Sequence, residues 1–266
     1  MPSPARSAVP LALSLSALLA LTGCASLFGP GLEELLLPRN AFSGYTVHSV
    51  DADEVRQGPS SPSFTEIEPR ECADTLAEAR PDLLPEGVEA VAAQQATPNR
   101  RGTPETVYHY TLATGDLSGT PTPESVKRLL TDCFTFTGRI EDEPVTGAFQ
   151  SLPSDALPEG GDGVLVTSTP AGGGPSVEVR MAWGRVSEVH FLLVAVTLGA
   201  DSSPLSPEDL TAECLMEDPA ATPHIDELME CTDRMRDQAV EDAAAERADR
   251  FDALLAKAVD RLAERA

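Results

Sequence analysis

Two hydrophobic periods divide the chain into predicted strands and helices. Stretches in which every second residue is apolar indicate β-strands, whereas apolar residues at helical spacing indicate amphipathic helices. Strands are predicted at 45–50, 63–68, 88–96, 106–113, 164–169, 176–183 and 188–198. Helices are predicted at 69–79, 122–133, 206–217 and from Thr222 toward the C-terminus. This order predicts an α+β fold, with a twisted, mainly antiparallel sheet and flanking helices.

The predicted strands differ in how many of their faces are apolar. The strand at 106–113 places Tyr108 and Tyr110 on one face and His109 on the other. The strand at 188–198 is apolar on both faces, which is typical of a central strand covered on both sides. We therefore expect it at the middle of the sheet.

Two further expectations concern the connections. The strands at 45–50 and 63–68 follow each other and could pair. Residues 138–162 are rich in Gly, Pro and acidic residues and predict a long loop. A loop of this length suggests a binding or lid role, although a polar loop is more often simply solvated.

The last predicted helix carries an apolar stripe at a period of 3.6 residues. Its members are Ile225, Met229, Val240, Ala244, Phe251, Leu255, Ala258 and Leu262. From Ser206 onward the chain has 17 acidic and 7 basic residues. We expect the first half of the stripe to pack on its own domain. The second half, from Ala243, is expected to extend beyond the core.

The N-terminus predicts export and lipidation. An apolar run, Leu11 to Leu21, has the length of a signal-peptide core and is too short to span a bilayer. It ends in Leu21-Thr22-Gly23-Cys24, which resembles the bacterial lipobox. The resemblance implies cleavage before Cys24 and membrane attachment through a diacylglyceryl (palmitate-type) group on that cysteine. An ordinary secretory signal with a chance cysteine is the alternative.

Charge and cysteine content restrict the possible partners. A formal net charge of −24 repels phosphate backbones, so nucleic acid is not expected as a partner. Four cysteines remain after Cys24, and an even number in an exported chain predicts two disulfides rather than a zinc site. Spacing alone leaves three pairings open. Cys72 and Cys133 each lie on the apolar face of a predicted helix, and cysteines that are neighbours in the sequence tend to pair first during export. Both considerations favour the pairs Cys72–Cys133 and Cys214–Cys231.

The sequence has no evident catalytic constellation. It contains no Gly-x-Ser-x-Gly motif, and its four histidines are scattered. The alternating residues Tyr108, His109 and Tyr110 are the candidate ligand contacts, although sheet packing explains them as well. His190 lies in the most apolar strand, which favours a packed histidine over a general base. We expect a non-enzymatic protein without cofactor or metal.

Several short motifs occur in an order that resembles a known family. They are Phe42-Ser-Gly-Tyr45, Glu68-Pro-Arg-Glu-Cys72, Asp132-Cys133 and Trp183-Gly-Arg-Val186. The order resembles the extracellular sensor domain of mycobacterial PknH-like Ser/Thr kinases and of lipoproteins that carry it, over residues 32–235. The resemblance implies an antiparallel sheet with flanking helices, two disulfides and a ligand cleft. This chain departs from it in its late second cysteine pair, its acidic C-terminal helix and the lack of a kinase.

These patterns predict a domain order and a function. Residues 1–23 are the expected signal peptide, 24–31 a tether, 32–235 a sensor-like domain and 236–266 an acidic helical extension. The few lysines and many arginines are typical of a high-GC, actinobacterial genome. We expect a lipid-anchored binding or sensor domain at the outer face of the cell membrane, with an unknown small molecule or envelope component as ligand. The alternatives are a structural or interaction protein that docks through its C-terminal helix, and an envelope enzyme.

Overall fold

The computed structural model describes residues 31–57, 64–78, 87–99, 104–117, 123–140, 142–217 and 225–265. Within them, one nine-stranded antiparallel sheet carries helices on both faces. The strands are β1 (Tyr45–Val50), β2 (Phe64–Glu68), β3 (Val88–Pro98), β4 (Glu105–Gly115), β5 (Phe136–Ile140), β6 (Glu143–Ser151), β7 (Asp162–Pro170), β8 (Val177–Val186) and β9 (Val189–Leu198). The helices are α1 (Leu32–Leu35), α2 (Ala52–Gln57), α3 (Arg70–Glu78), α4 (Pro123–Asp132), α5 (Pro207–Glu217) and α6 (Ile225–Arg265), and a 3₁₀ turn spans Arg39–Ala41. The predicted fold class is confirmed.

The sheet order is β1-β3-β4-β9-β8-β7-β6-β5-β2. The expected pairing of β1 with β2 is wrong, because β1 pairs with β3 and β2 pairs with β5 at the opposite edge. A short separation in sequence favours pairing, but in this sheet the seven strands β3 to β9 all lie between β1 and β2. The position of β9 inside the sheet agrees with its apolar sequence.

The expected long loop at 138–162 is also wrong. Strands β5 and β6 occupy 138–140 and 143–151 of this stretch, and the long loop is confined to 152–161, between β6 and β7. In β6 the buried positions alternate at Val145, Gly147 and Phe149. Gly147 is required by packing, since a Cβ atom there would lie 2.4 Å from Cζ of Phe136. The glycine that resembles a loop residue is therefore a packing residue within the sheet.

Two apolar clusters lie on opposite faces of the sheet. On one face, α1 and α6 cover β3, β4 and β9, with Tyr110, Leu112 and Leu193 completely buried. On the other face, α3 and α4 cover β5, β6 and β7 around Phe136 and Phe149. The two helical layers thus cover different parts of the sheet.

The half of helix α6 that packs against the sheet is not the half that was predicted. Phe251, Leu255, Ala258 and Leu262 are completely buried, whereas Ile225 is 73% exposed. The half from Ala243 is therefore part of the core, and its interpretation as an extension is wrong. Both halves carry the same period, but the large apolar residues are densest in the second half, which is the half that the sheet buries.

Both predicted disulfides are present. Cys72–Cys133 joins α3 to the residue that follows α4, and Cys214–Cys231 joins α5 to α6. The first is enclosed in the cluster beneath α3 and α4. Cys24 and the expected signal peptide lie outside the described residues. None of the described helices combines the length and the apolarity needed to cross a bilayer.

Candidate functional site

The centre of the sheet has one face that the helices in the described ranges leave uncovered. It is formed by three adjacent strands, β4, β9 and β8. Val194 on β9 pairs with His109 on β4 and with Met181 on β8. Side chains two residues apart share a face, so the neighbouring pairs extend this surface in both directions. We call it the open central face; its residues are Val107, His109, Thr111, Val179, Met181, Leu192, Val194 and Val196.

These eight side chains are partly exposed and do not belong to either apolar cluster. The expectation that β9 is covered on both sides therefore holds for one face only. Phe191, Leu193 and Ala195 face α6 and are buried, whereas Leu192 and Val194 on the other face remain partly exposed. A strand that is apolar on both faces but packed on one presents an apolar surface.

The eight residues of the open central face include no Asp, Glu, Lys or Arg, although the chain has a net charge of −24. The nearest charged residues on the same side of β4 and β8 are Glu105 and Arg185, beyond its two ends. Its polar margin lies toward β3 and β1. Nε2 of Gln95 is 3.4 Å from Nε2 of His109, and His48 pairs with Gln95 in the next strand. Burial lowers the pKa of His109, because a partly buried imidazolium loses hydration. The ring is therefore neutral at pH 7 and can both donate and accept a hydrogen bond.

Toward β7, the open central face is bounded by the side chain of Trp183. Trp183, which pairs with Leu192, packs against the cluster beneath α3 and α4. Among the described residues, the same sheet face is thus covered by helices over β5 to β7 and has no helix packed on it over β4, β9 and β8. Small-molecule binding sites are usually lined by apolar and aromatic side chains with a few polar groups, and this surface has that composition.

The structure separates the three predicted ligand contacts. His109 lies on the open central face, whereas Tyr108 and Tyr110 point into the core and are 1% and 0% exposed. Burial raises the pKa of both phenols, so both stay protonated. The alternation in the sequence identified the two faces correctly. It could not show which face the helices would cover.

Sequence reasoning missed most of this surface. Leu192, Val194 and Val196 were interpreted as buried, although the second apolar face of β9 was the signal that could have identified them. His190 lies on the same side of β9 as these residues; its pKa is lowered, first by burial and then by Arg185. Among the described residues, no group of His, Cys, Asp and Glu is placed to hold a metal ion.

Comparisons with known proteins give a distant structural match. No protein-family model matches the chain, and no curated protein matches its sequence. The crystal structure of the extracellular domain of PknH from Mycobacterium tuberculosis is similar with a TM-score of 0.33 and 11% sequence identity. That match covers 80% of this chain and 98% of the other.

Proposed function

We propose that this protein is a lipid-anchored extracytoplasmic binding domain that holds an uncharged, apolar ligand on its open central face. The observation that carries the proposal is the apolar, charge-free surface at the centre of the sheet of a strongly acidic protein. No reaction is proposed, because this surface supplies hydrogen-bonding groups at its margin and no nucleophile with an adjacent base.

The physical argument rests on desolvation. Covering Val179, Val194 and Val196 removes apolar area from water, worth about 25 cal/mol per Å². No charged side chain of the open central face has to be desolvated at the same time, so this gain is not offset by the large cost of burying an ion. Neutral His109 and Gln95 at the margin can orient a ligand that carries one polar group.

The location is supported by the cysteines. Two disulfides are typical of chains that fold in an oxidising, exported environment. Cys24, at the end of the apolar run, is the residue we propose to be lipidated. A diacylglyceryl group supplies two acyl chains, which is enough for stable anchoring. Residues 24–31 would then connect the lipid to α1.

The open central face can be tested with an uncharged fluorophore, N-phenyl-1-naphthylamine. The mature protein should bind the probe saturably. The double variant Val194→Thr/Val196→Thr keeps the side-chain shape and adds two hydroxyls, so binding should weaken by roughly tenfold. Val240→Thr, the same change at a partly exposed position on α6, is the matched control and should bind as the wild type. Equal binding by all three proteins would reject this site.

The anchor is tested separately. Intact mass of protein purified from membranes should show an N-terminal Cys24 carrying diacylglycerol, and Cys24→Ala should release the protein into the soluble or secreted fraction. An unmodified N-terminus in membrane-derived material would reject the anchor and leave the binding surface unaffected.

A further inference from the structure

Helix α5 and the first part of α6 form a second surface that the binding site does not use. The Cys214–Cys231 disulfide joins the two helices, and Sδ of Met235 lies 3.4 Å from Sγ of Cys214. Leu210 of α5 is buried. We call α5 together with residues 225–244 of α6 the acidic hairpin.

The acidic hairpin exposes large apolar side chains. Ile225 is 73% exposed, Met229 59% and Leu215 46%, and these are three of the five exposed large hydrophobic residues in the described parts of the chain. Ile225 and Met229 are one helical turn apart on the same face. Val240 and Ala244 continue this stripe and are partly exposed. The same period that buries Phe251 and Leu255 further along the helix therefore runs uncovered here.

The charge of this surface is predominantly negative. Residues 207–217 and 225–244 contain eleven acidic residues and two arginines. One of these, Arg236, is placed against acidic neighbours, with its guanidinium 3.1 Å from Asp233 and 3.4 Å from Asp237. The exposed apolar stripe is thus bordered by a large excess of carboxylates.

We infer that the acidic hairpin docks a basic amphipathic helix of a partner protein. The apolar face of such a helix would cover Ile225 and Met229, while its Lys and Arg residues would face the carboxylates on either side. A second copy of this chain would bring carboxylates against carboxylates, and an anionic membrane or a nucleic acid would be repelled in the same way. A basic helix satisfies both the apolar and the electrostatic requirement.

The inference goes beyond the proposed function, since it uses residues on a different part of the molecule. It also changes the docking element of the alternative hypothesis, in which the protein docks through its C-terminal helix from about Ala243. The large apolar side chains Phe251, Leu254, Leu255 and Leu262 of that segment are in the core. The part of α6 before them is the part that remains available.

The test uses the mature protein and synthetic peptides of about 18 residues. A labelled Leu/Lys peptide with its leucines on one helical face should bind, as measured by fluorescence anisotropy. A peptide of the same composition with scrambled leucines, and a Leu/Glu peptide with the amphipathic pattern, should bind at least tenfold more weakly, by roughly the effect of losing a central anchor. Binding should weaken when the salt concentration is raised from about 0.05 to about 0.5 M.

Matched variants locate the binding surface. Ile225→Ser/Met229→Ser should weaken binding of the Leu/Lys peptide by about tenfold, whereas Phe134→Ser, at a residue that is 61% exposed elsewhere, should not. Circular dichroism should show that all variants are folded. Equal binding of the ordered and scrambled peptides, or equal binding by the Ile225→Ser/Met229→Ser variant, would overturn the inference. So would sedimentation equilibrium that shows a dimer disrupted by the same two substitutions.

Discussion

Oε1 of Glu178 lies 3.8 Å from Nε of Arg247, and this contact connects β8 to α6 in a buried environment. The same carboxylate oxygen is 2.8 Å from Nε of Arg180. The three side chains are only 10–11% exposed. Arg247 also donates from Nη2 to the carbonyl oxygen of Ala200 at 3.1 Å. One carboxylate therefore compensates two buried guanidinium groups, and it does so where α6 enters the core.

Replacement of that carboxylate should destabilise the fold. Glu178→Gln leaves two buried cations without a counter-charge, so the free energy of unfolding in urea should fall by about 3 kcal/mol. Arg247→Met should cost less, because Arg180 still pairs with Glu178. Glu188→Gln is the control for the same chemical change at an exposed pair with Arg185, and it should change stability by less than about 0.5 kcal/mol. Equal effects at the two glutamates would show that the buried cluster has no special role.

The two ends of α6 should respond differently to truncation of an apolar side chain. Leu255→Ala removes a completely buried side chain and should cost about 2–5 kcal/mol. Met229→Ala, on the same helix but 59% exposed, should change stability by less than about 0.5 kcal/mol. Urea unfolding of both variants measures the difference. A large loss for Met229→Ala would mean that the first half of α6 is also packed.

The disulfides should differ in accessibility and in stabilisation. Cys72–Cys133 closes a sequence separation of 61 residues and Cys214–Cys231 one of 17, so the loop-entropy relation assigns them about 4 and about 3 kcal/mol. Cys72 and Cys133 are completely buried, whereas Cys214 and Cys231 are each 9% exposed. Titration with dithiothreitol, followed by alkylation and mass spectrometry, should reduce Cys214–Cys231 first. The reverse order would contradict the enclosed position of the first disulfide.

Stability should depend on pH through His109. Its pKa in the folded protein lies below 6.5, the value of the unfolded chain, so the unfolded state binds more protons as the pH falls. The stability that the protein gains from holding this ring neutral is fully present above about pH 6.5. It is lost as the pH falls from there to the folded-state pKa. Between about pH 7.5 and about pH 5, the free energy of unfolding measured in urea should fall less for His109→Gln than for the wild type. An NMR titration midpoint above that of a free histidine would contradict the sign.

Most of the element order follows from local patterns, but the packing of the elements does not. Period-2 alternation around Tyr108 and His109 is a local property, and it predicted the two faces of β4. Gly147 looked like a loop residue because its role depends on Phe136, which lies on a neighbouring strand. A contact between strands leaves no signature in either strand alone.

The open central face could be predicted only in part for the same reason. The apolar sequence of β9 predicted a central strand, and it is one. Whether a second helical layer covers Val194 depends on where α3 and α4 pack. These helices pack over Phe136 and Phe149, on β5 and β6, and so leave Val194 outside their cluster. Likewise, the stripe on α6 has the same period in both halves, so the period alone does not say which half meets the sheet; the higher density of large apolar residues in the second half is the signal that does.

The position of β1 and β2 at opposite edges of the sheet has a consequence for aggregation. Both outermost strands come from residues 45–68, so one short stretch covers the free hydrogen-bonding groups of β3 on one side and of β5 on the other. Unpaired strand edges are templates for intermolecular β-pairing. The intact sheet already ends in two edges, but β1 is only six residues long. Loss or displacement of this stretch would replace it by the 11-residue edge of β3, a longer template on which a second molecule could pair.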